Sequence, residues 1–245
     1  MSARTVALVT GGSRGIGRGV VVEAARRGHH VVFSHRGRAD DEAATVAAAL
    51  EAAPDGVRVE GVVADMQTPT DLVALADAAR ALGPVEVLIT CAGVLREVRL
   101  ADFDLGPWQE SWDVHVTAPM LLTRELEADL RATRGAVVNV SSDGGVVGSI
   151  HGLPYGASKA GTVGLGHTLA RELAPDVRVN TLAPGPIDTD MWAAVPEADR
   201  RMVEDTTPLG RAGRVDEIGR AALDLASWTY VTGQTLVVNG GRVMR

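Results

Sequence analysis

The chain has 245 residues, enough for one large α/β domain or two small ones; it is 46% hydrophobic but only 3% aromatic, so Val, Ala and Leu must fill the core, as suits a buried parallel sheet under Ala-rich helices. Its 24 Lys and Arg against 31 Asp and Glu leave a net charge of −7 with no basic cluster, which argues against non-specific binding to nucleic acid or to an anionic membrane. One cysteine, Cys91, excludes an internal disulfide and most zinc sites; no metal site is expected, and with no signal peptide and no apolar run near the roughly 18 residues that span a bilayer the protein is expected to be soluble and cytoplasmic.

Residues 5–9 read as a short buried strand, followed by the turn Thr10-Gly-Gly-Ser-Arg-Gly-Ile-Gly17 and an apolar-periodic helix to about residue 27. Strand, glycine turn and helix in that order form a unit that holds phosphate on main-chain N–H groups. Gly11 makes the tight turn, Gly15 lets the backbone approach a pyrophosphate, and Gly17 lets the helix pack closely on the strand; Ser13, Arg14 and Ile16 lie between them. The spacing is Gly-x3-Gly-x-Gly, and a plain strand-to-helix turn is the other reading.

The second strand, 31–34, runs into Ser34-His35-Arg36. A dinucleotide fold selective for NAD ordinarily places an acid there, against the ribose hydroxyls. Here a guanidinium stands in its place, and Arg14 can reach the same corner. Two arginines near one ribose favour a 2′-phosphate, which guanidinium groups bind through paired hydrogen bonds, so the expected cofactor is NADPH. The alternative is that Arg36 and Arg38 are solvated loop charges.

A helix over 40–52 leads to a third strand over 57–63. Asp65, next to Met66, either accepts from an adenine amino group or caps the helix expected over about 70–82. The fourth strand, 85–89, closes on Thr90-Cys-Ala-Gly93, where Gly93, beside Ala92, permits close approach of the backbone to a ligand. Cys91 reads as a small buried side chain rather than a nucleophile. After a connector over 95–106, one long helix is expected over about 108–130, bent at Pro119, with Trp108, Trp112, Val116, Met120 and Leu121 on a wide buried stripe and His115 in its middle.

Strand five spans 137–141 with Ser142 just past it; the glycine-rich 143–153 reads as a loop, and Pro154 opens a helix over about 155–174. Strand six, 177–182, is stopped by Pro184-Gly-Pro186. The polar, mixed segment 189–209 is long enough to be a lid over a substrate. A helix over 215–226 and a last strand over 234–238, ended by Asn239-Gly-Gly241, complete the chain. Strands alternate with helices throughout, which predicts a Rossmann-type, doubly wound sheet of about seven mostly parallel strands with helices on both faces. It is expected to form a single domain over 1–245, with a cofactor half of about 1–135 and a catalytic and substrate half of about 136–245.

The chemistry concentrates in Tyr155-Gly-Ala-Ser-Lys159. A tyrosine and a lysine four residues apart share one face of a helix. A phenol has a reference pKa of about 10, and a nearby ammonium lowers it, so the pair with the hydroxyl of Ser142 makes a proton-transfer device for C=O/CHOH chemistry.

With Cys91-Ala-Gly93, Pro184-Gly185, Thr189 and Val238-Asn-Gly-Gly241 added to these motifs, in order and at their spacings, the chain resembles the short-chain dehydrogenase/reductase family over essentially its whole length. Through Ile187-Asp-Thr-Asp-Met191 and Pro208-Leu-Gly-Arg211 it most resembles that family's β-ketoacyl-acyl-carrier-protein reductases. The resemblance implies Tyr155 as the acid in reduction, Lys159 as the group that tunes it and holds the nicotinamide ribose, and Ser142 as the partner of the substrate carbonyl. It implies Ile187 and Thr189 against the nicotinamide carboxamide, Pro184 and Gly185 in the cofactor site, and Arg14 with Arg36 as the basic pair for NADPH. It also implies a homotetramer, joined through the two long helices and through the last strand with its preceding helix.

Two departures stand out. His115 occupies the position, seven residues after Trp108, where the family has an asparagine that holds a proton-relaying water; it is expected to preserve the relay, a packing substitution being the alternative. Thr90-Cys91 replaces a pair of asparagines, with an expected change in hydrogen bonding at the sheet end. Arg131, Arg134 and Arg178 fall close to Thr133, Ala136 and Asp176, the places where carrier-protein reductases present arginines at the active-site mouth, and are expected to substitute for them. The leading expectation is therefore an NADPH-dependent ketoreductase acting on a β-ketoacyl thioester, free or carrier-bound. An alcohol, steroid or sugar dehydrogenase is one alternative; a catalytically weak cofactor-binding regulator or assembly partner is another.

Overall fold

A computed structural model describes residues 4–244. The chain opens with β1 (Val6–Thr10), α1 (Gly15–Arg26), β2 (His30–His35), α2 (Ala39–Ala52), β3 (Val59–Val63), α3 (Pro69–Leu82) and β4 (Val85–Thr90). It continues through α4 (Leu105–Trp112), α5 (Ala118–Glu125), α6 (Glu127–Thr133), β5 (Ala136–Val140), α7 (Asp143–Val147), α8 (Leu153–Glu172) and β6 (Arg178–Pro184), and ends with α9 (Asp190–Ala193), α10 (Glu197–Thr206), α11 (Val215–Ser227) and β7 (Thr235–Val238). The seven strands form one sheet in the order β3-β2-β1-β4-β5-β6-β7, and every pairing is parallel, as the alternation of strands and helices predicts.

Side chains alternate between the two faces of each strand, and both faces are covered. Val6, Leu8 and Leu88 pack under α3, α5 and α8, with Leu75, Leu122 and Leu169 among their contacts. Ala7, Val9, Phe33 and Ile89 pack under α1 and α11 through Val20, Val21, Ile218 and Leu223. The strand order reverses between β1 and β4, so their C-terminal ends open a crevice where doubly wound sheets hold nucleotides. No helix among the described residues is long and apolar enough to cross a membrane.

Two expectations are corrected. The helix expected over about 108–130 is broken: α4 runs into a π-helical turn over Asp113–Thr117, α5 follows, and a second break at Leu126 precedes α6. Proline lacks the N–H that would bond the carbonyl four residues back, so Pro119 frees the His115 carbonyl, which accepts instead from Thr162 Oγ1 at 3.0 Å. The segment after Ser142 is not wholly loop, because Asp143–Val147 forms a short helix capped by the Ser142 hydroxyl. The expected lid is built around α9 and α10.

Helices α1 and α11 touch backbone to backbone. A Cβ on Gly219 would run into the Gly19 carbonyl, and one on Gly19 would lie 2.5 Å from the Val215 oxygen. Gly219→Ala is therefore expected to lower the unfolding free energy by about 1–3 kcal/mol, seen as a reduced midpoint with an unchanged slope in urea denaturation.

Candidate active site

The glycine turn is held from two strands. Thr10 Oγ1 accepts from the N–H groups of Cys91 and Ala92, both at 3.0 Å, tying the end of β1 to the end of β4. Gly11 N donates to Ser34 Oγ and Gly12 N to Ser34 O, each at 2.9 Å, tying the turn to β2. Gly11 and Gly15 take φ of 68° and 52°, a region that L side chains avoid. A Cβ on Gly11 would come within 2.8 Å of Ala92 Cα, and one on Gly17 would strike the Gly11 carbonyl. The turn has the shape of an anion cradle that only glycine permits, so the residues present fit a nucleotide pyrophosphate.

Around that cradle the expected residues gather unevenly. Arg14 and Arg36 are exposed at the ends of β1 and β2 and form no ion pair among the described residues. Ser13 is buried, its carbonyl accepting from Thr45 Oγ1 at 2.9 Å. Ile16 is half-buried, and Met66 lies in the core beside α3. The His35 side chain is buried, with Nε2 3.1 Å from Glu42 Oε2. Asp65 is half-buried and accepts from Gln67 N at 3.0 Å. Across the crevice, Pro184 ends β6 and Gly185 N donates to Val238 O at 3.1 Å. Ile187 is buried, and Thr189 Oγ1 donates to its carbonyl at 3.1 Å. A Cβ on Gly15 would meet Thr189 Cγ2 at 3.3 Å, so glycine turn and lid base face each other.

Ser142, Tyr155 and Lys159 converge at the C-terminal end of β5. Ser142 accepts from Gly144 N at 3.1 Å. Tyr155 and Lys159 lie one turn apart on α8, with the Lys159 ammonium 5.9 Å from the centre of the Tyr155 ring. Lys159 is buried; its Nζ donates to Val140 O at 2.9 Å, and its own carbonyl accepts from Ser141 Oγ at 2.7 Å. Gly93 is exposed in the crevice, and a Cβ there would lie 3.8 Å from Lys159 Nζ.

Burial governs the ionisation of all three ring or amine groups. It pulls the Lys159 ammonium down to about 8. It pushes the Tyr155 phenol above its usual value, which the hydrogen bond from Ser142 lowers and the Asp143 carboxylate raises further. The expected lowering by Lys159 is therefore not the dominant effect: the ammonium lies over the ring face and bonds a carbonyl, and loss of hydration outweighs it. Such a phenol stays protonated at neutral pH and can donate. Burial likewise pushes the Cys91 thiol up to about 11, which leaves it no thiolate character at neutral pH.

The expectation that His115 holds a water or relays a proton is corrected. The ring is buried, Nε2 accepts from Val94 N at 3.0 Å, and Nδ1 bonds Ser158 Oγ at 2.8 Å. Because Nε2 accepts, the proton of the neutral ring sits on Nδ1 and is donated to Ser158, which donates in turn to Pro154 O at 2.6 Å. Both nitrogens are in use, and burial, aided by the Lys159 charge, pushes the imidazole down to about 2. His115 clamps the strand-end loop bearing Gly93 to the helix bearing Tyr155. A second histidine, His151, also stands edge-on to Tyr155, its ring centre 6.1 Å away against 5.8 Å for His115, and bonds Glu97 at 3.0 Å.

The expected carrier-binding arginines lie elsewhere in the chain. Arg134 ends α6, Arg178 begins β6 and donates to the Ala226 and Trp228 carbonyls, and Arg131 pairs with Asp176. All three are at the N-terminal ends of β5 and β6, the opposite edge of the sheet from Ser142, because parallel strands send their two ends to opposite sides. Arg134 and Arg178 line a cleft of about 530 Å³ there with Arg27 and Glu86. Sequence reasoning did not single out Ser158, Asp143 or Arg242; a carboxylate following directly on Ser142 was a visible signal for Asp143 alone.

The family model described as Enoyl-(Acyl carrier protein) reductase matches residues 11–242. The 3-oxoacyl-[acyl-carrier-protein] reductase FabG of Aquifex aeolicus is 34% identical over 241 residues, covering 96% of each chain. Among solved structures, a putative short-chain dehydrogenase/reductase from Burkholderia xenovorans is 28% identical with a TM-score of 0.89, covering 99% of each chain. A blue fluorescent protein from a metagenomic library, in complex with NADPH, is 31% identical with a TM-score of 0.89 over 98% of each chain.

His115 carries a consequence for stability. Below the ordinary histidine value of 6.5 the unfolded chain takes up a proton that the folded ring refuses until about 2, so stability falls with pH across that window. Between pH 7 and pH 5 the wild-type protein is expected to lose about 2 kcal/mol more unfolding free energy than His115→Asn, measured by urea denaturation at both pH values.

Proposed function

The chain belongs to the short-chain dehydrogenase/reductase family of oxidoreductases, and we propose that it is an NADPH-dependent ketoreductase that converts a β-ketoacyl thioester to the secondary alcohol. The observation that carries this reading is the convergence of Ser142, Tyr155 and Lys159 at the strand end facing the glycine turn. The exposed, unpaired guanidinium groups of Arg14 and Arg36 at the ends of β1 and β2 support the 2′-phosphate. The substrate carbonyl oxygen accepts from the hydroxyls of Ser142 and Tyr155, which polarises the C=O bond. The nicotinamide, when bound, supplies the two electrons and one hydrogen that the carbonyl carbon gains. Tyr155 gives its proton to the oxygen as negative charge develops there, and burial keeps that proton on the phenol beforehand. Lys159, charged below about 8, stabilises the phenolate left behind and holds the ribose.

Apolar side chains near the candidate site support an acyl chain. Ile150, Leu153, Met191 and Met202 expose apolar surface around the lid and the start of α8. The relatives' printed names support a carrier-linked thioester, although Arg131, Arg134 and Arg178 of the same chain do not reach this mouth. Exposed Trp228 and Tyr230 beside the edge strand β7 support assembly as a homotetramer through that edge and through α4–α6 with α8.

The test is NADPH oxidation with acetoacetyl thioester. Tyr155→Phe is expected to lower kcat by about 100-fold or more; a fully active variant would exclude the phenol as the acid. In the same assay Arg36→Asp is expected to reduce the preference for NADPH over NADH by about tenfold or more, the equivalent of 1.4 kcal/mol; an unchanged ratio would remove Arg36 from the phosphate site.

A further inference from the structure

We propose that His151, oriented by Glu97, is a specificity-determining residue of the candidate site: its Nε2 accepts a hydrogen bond from an amide N–H on the thiol side of the thioester substrate. This role rests on the thioester reading above and extends it from the acyl group to the arm that carries it.

Two imidazole rings stand edge-on to Tyr155, and they differ in what they have left to offer. His115 has both nitrogens engaged, with Val94 and Ser158. His151 has one engaged: Nδ1 bonds Glu97 Oε1 at 3.0 Å, while Nε2 has no partner among the described residues and is not one of the buried polar atoms. The side chain is 31% exposed, so a ligand can reach that nitrogen. An ionised carboxylate only accepts, so Nδ1 carries the proton of the neutral ring and Nε2 presents a lone pair.

The ring is held in place before any ligand arrives. His151 N donates to Ser149 Oγ at 3.0 Å, and Leu153 N donates to Val98 O at 3.0 Å, which stitches the loop before α8 to the segment after β4. Gly152 takes φ of 97°, and a Cβ there would lie 2.7 Å from the Val98 oxygen, so the two segments touch backbone to backbone. The segment after β4 is anchored in turn, because Arg96 grips Glu110 of α4 through two bonds of 2.6 and 2.7 Å. An acceptor fixed in this way loses little freedom when a donor meets it.

The chemistry of the substrate selects the donor. A β-ketoacyl group offers carbonyl oxygens, which are acceptors and cannot satisfy Nε2. The donor therefore lies beyond the sulfur, and an amide N–H is the group that matches. Ile150 and Leu153, in the same loop, expose apolar side chains with no hydrogen bond to give. Glu97 is the other acceptor beside His151, and it stays in place in the variant below.

Two probes isolate the N–H: the acetoacetyl thioester of N-acetylcysteamine, and the analogue in which an ester oxygen replaces that amide N–H. Each is titrated calorimetrically into protein loaded with oxidised cofactor, which cannot reduce a ketone, at about pH 8, on the alkaline side of the reference histidine pKa. The wild-type protein is expected to bind the amide about tenfold more tightly than the ester. His151→Phe, which keeps an aromatic ring and removes the acceptor, is expected to abolish that preference and to leave the affinity for the ester as it was. Equal affinities in the wild type, a preference that survives in His151→Phe, or an equal loss for both probes would overturn the proposal. Should His151→Phe not fold, the wild-type comparison decides alone. If neither probe binds, the thioester reading falls and this role with it, whereas equal binding of both sinks this role only.

Discussion

A buried lysine joined at two points to the end of one strand fixes the geometry of the candidate site. Lys159 donates from Nζ to the Val140 carbonyl and accepts at its own carbonyl from Ser141, so the side chain and the backbone of one residue of α8 both bind the end of β5. Gly145 tightens the joint, since a Cβ there would lie 2.7 Å from the Lys159 backbone. With α8 pinned in this way, Tyr155 one turn earlier has no freedom to leave Ser142. The two hydroxyls of the candidate site are thus set by main-chain hydrogen bonds to Lys159 rather than by contacts between themselves.

Packing so many polar groups at one strand end forces each to meet the loss of water differently. His115 gives up its charge altogether and spends both nitrogens on neutral hydrogen bonds. Lys159 keeps its charge at neutral pH with a carbonyl for solvent, while Tyr155 keeps its proton. Asp143 pairs with Arg242 from the far end of the chain at 3.2 Å. The result is a strand end where a buried ammonium lies beside a phenol and the Asp143–Arg242 pair stands next to Ser142.

The break in the helix before β5 belongs to the same arrangement. Pro119 releases the His115 carbonyl, Thr162 of α8 takes it, and the π turn swings the imidazole toward Val94. Thr90, where the resemblance implies an amide, donates to Asn139 at 2.7 Å and so ties β4 to β5 with a hydroxyl. Both substitutions act on how the strand ends are held, and neither adds a titrating group to the site.

Sheet topology, the glycine turn and the triad were legible because each depends on short-range pattern: alternating strand and helix signals, glycines at fixed offsets, and two side chains four residues apart on a helix. The same local reading put Arg131, Arg134 and Arg178 at the wrong edge, since nearness in sequence to a strand says nothing about which of its ends a residue joins. It expected an unbroken helix around His115 because the donor that replaces the lost hydrogen bond, Thr162 Oγ1, lies on another element. By itself, then, the sequence determined the architecture and which side chains the candidate site brings together, through interactions that span a few residues. Only the tertiary structure decided their charge states and partners, because desolvation and an ion pair across 99 residues exist only once distant segments are packed together.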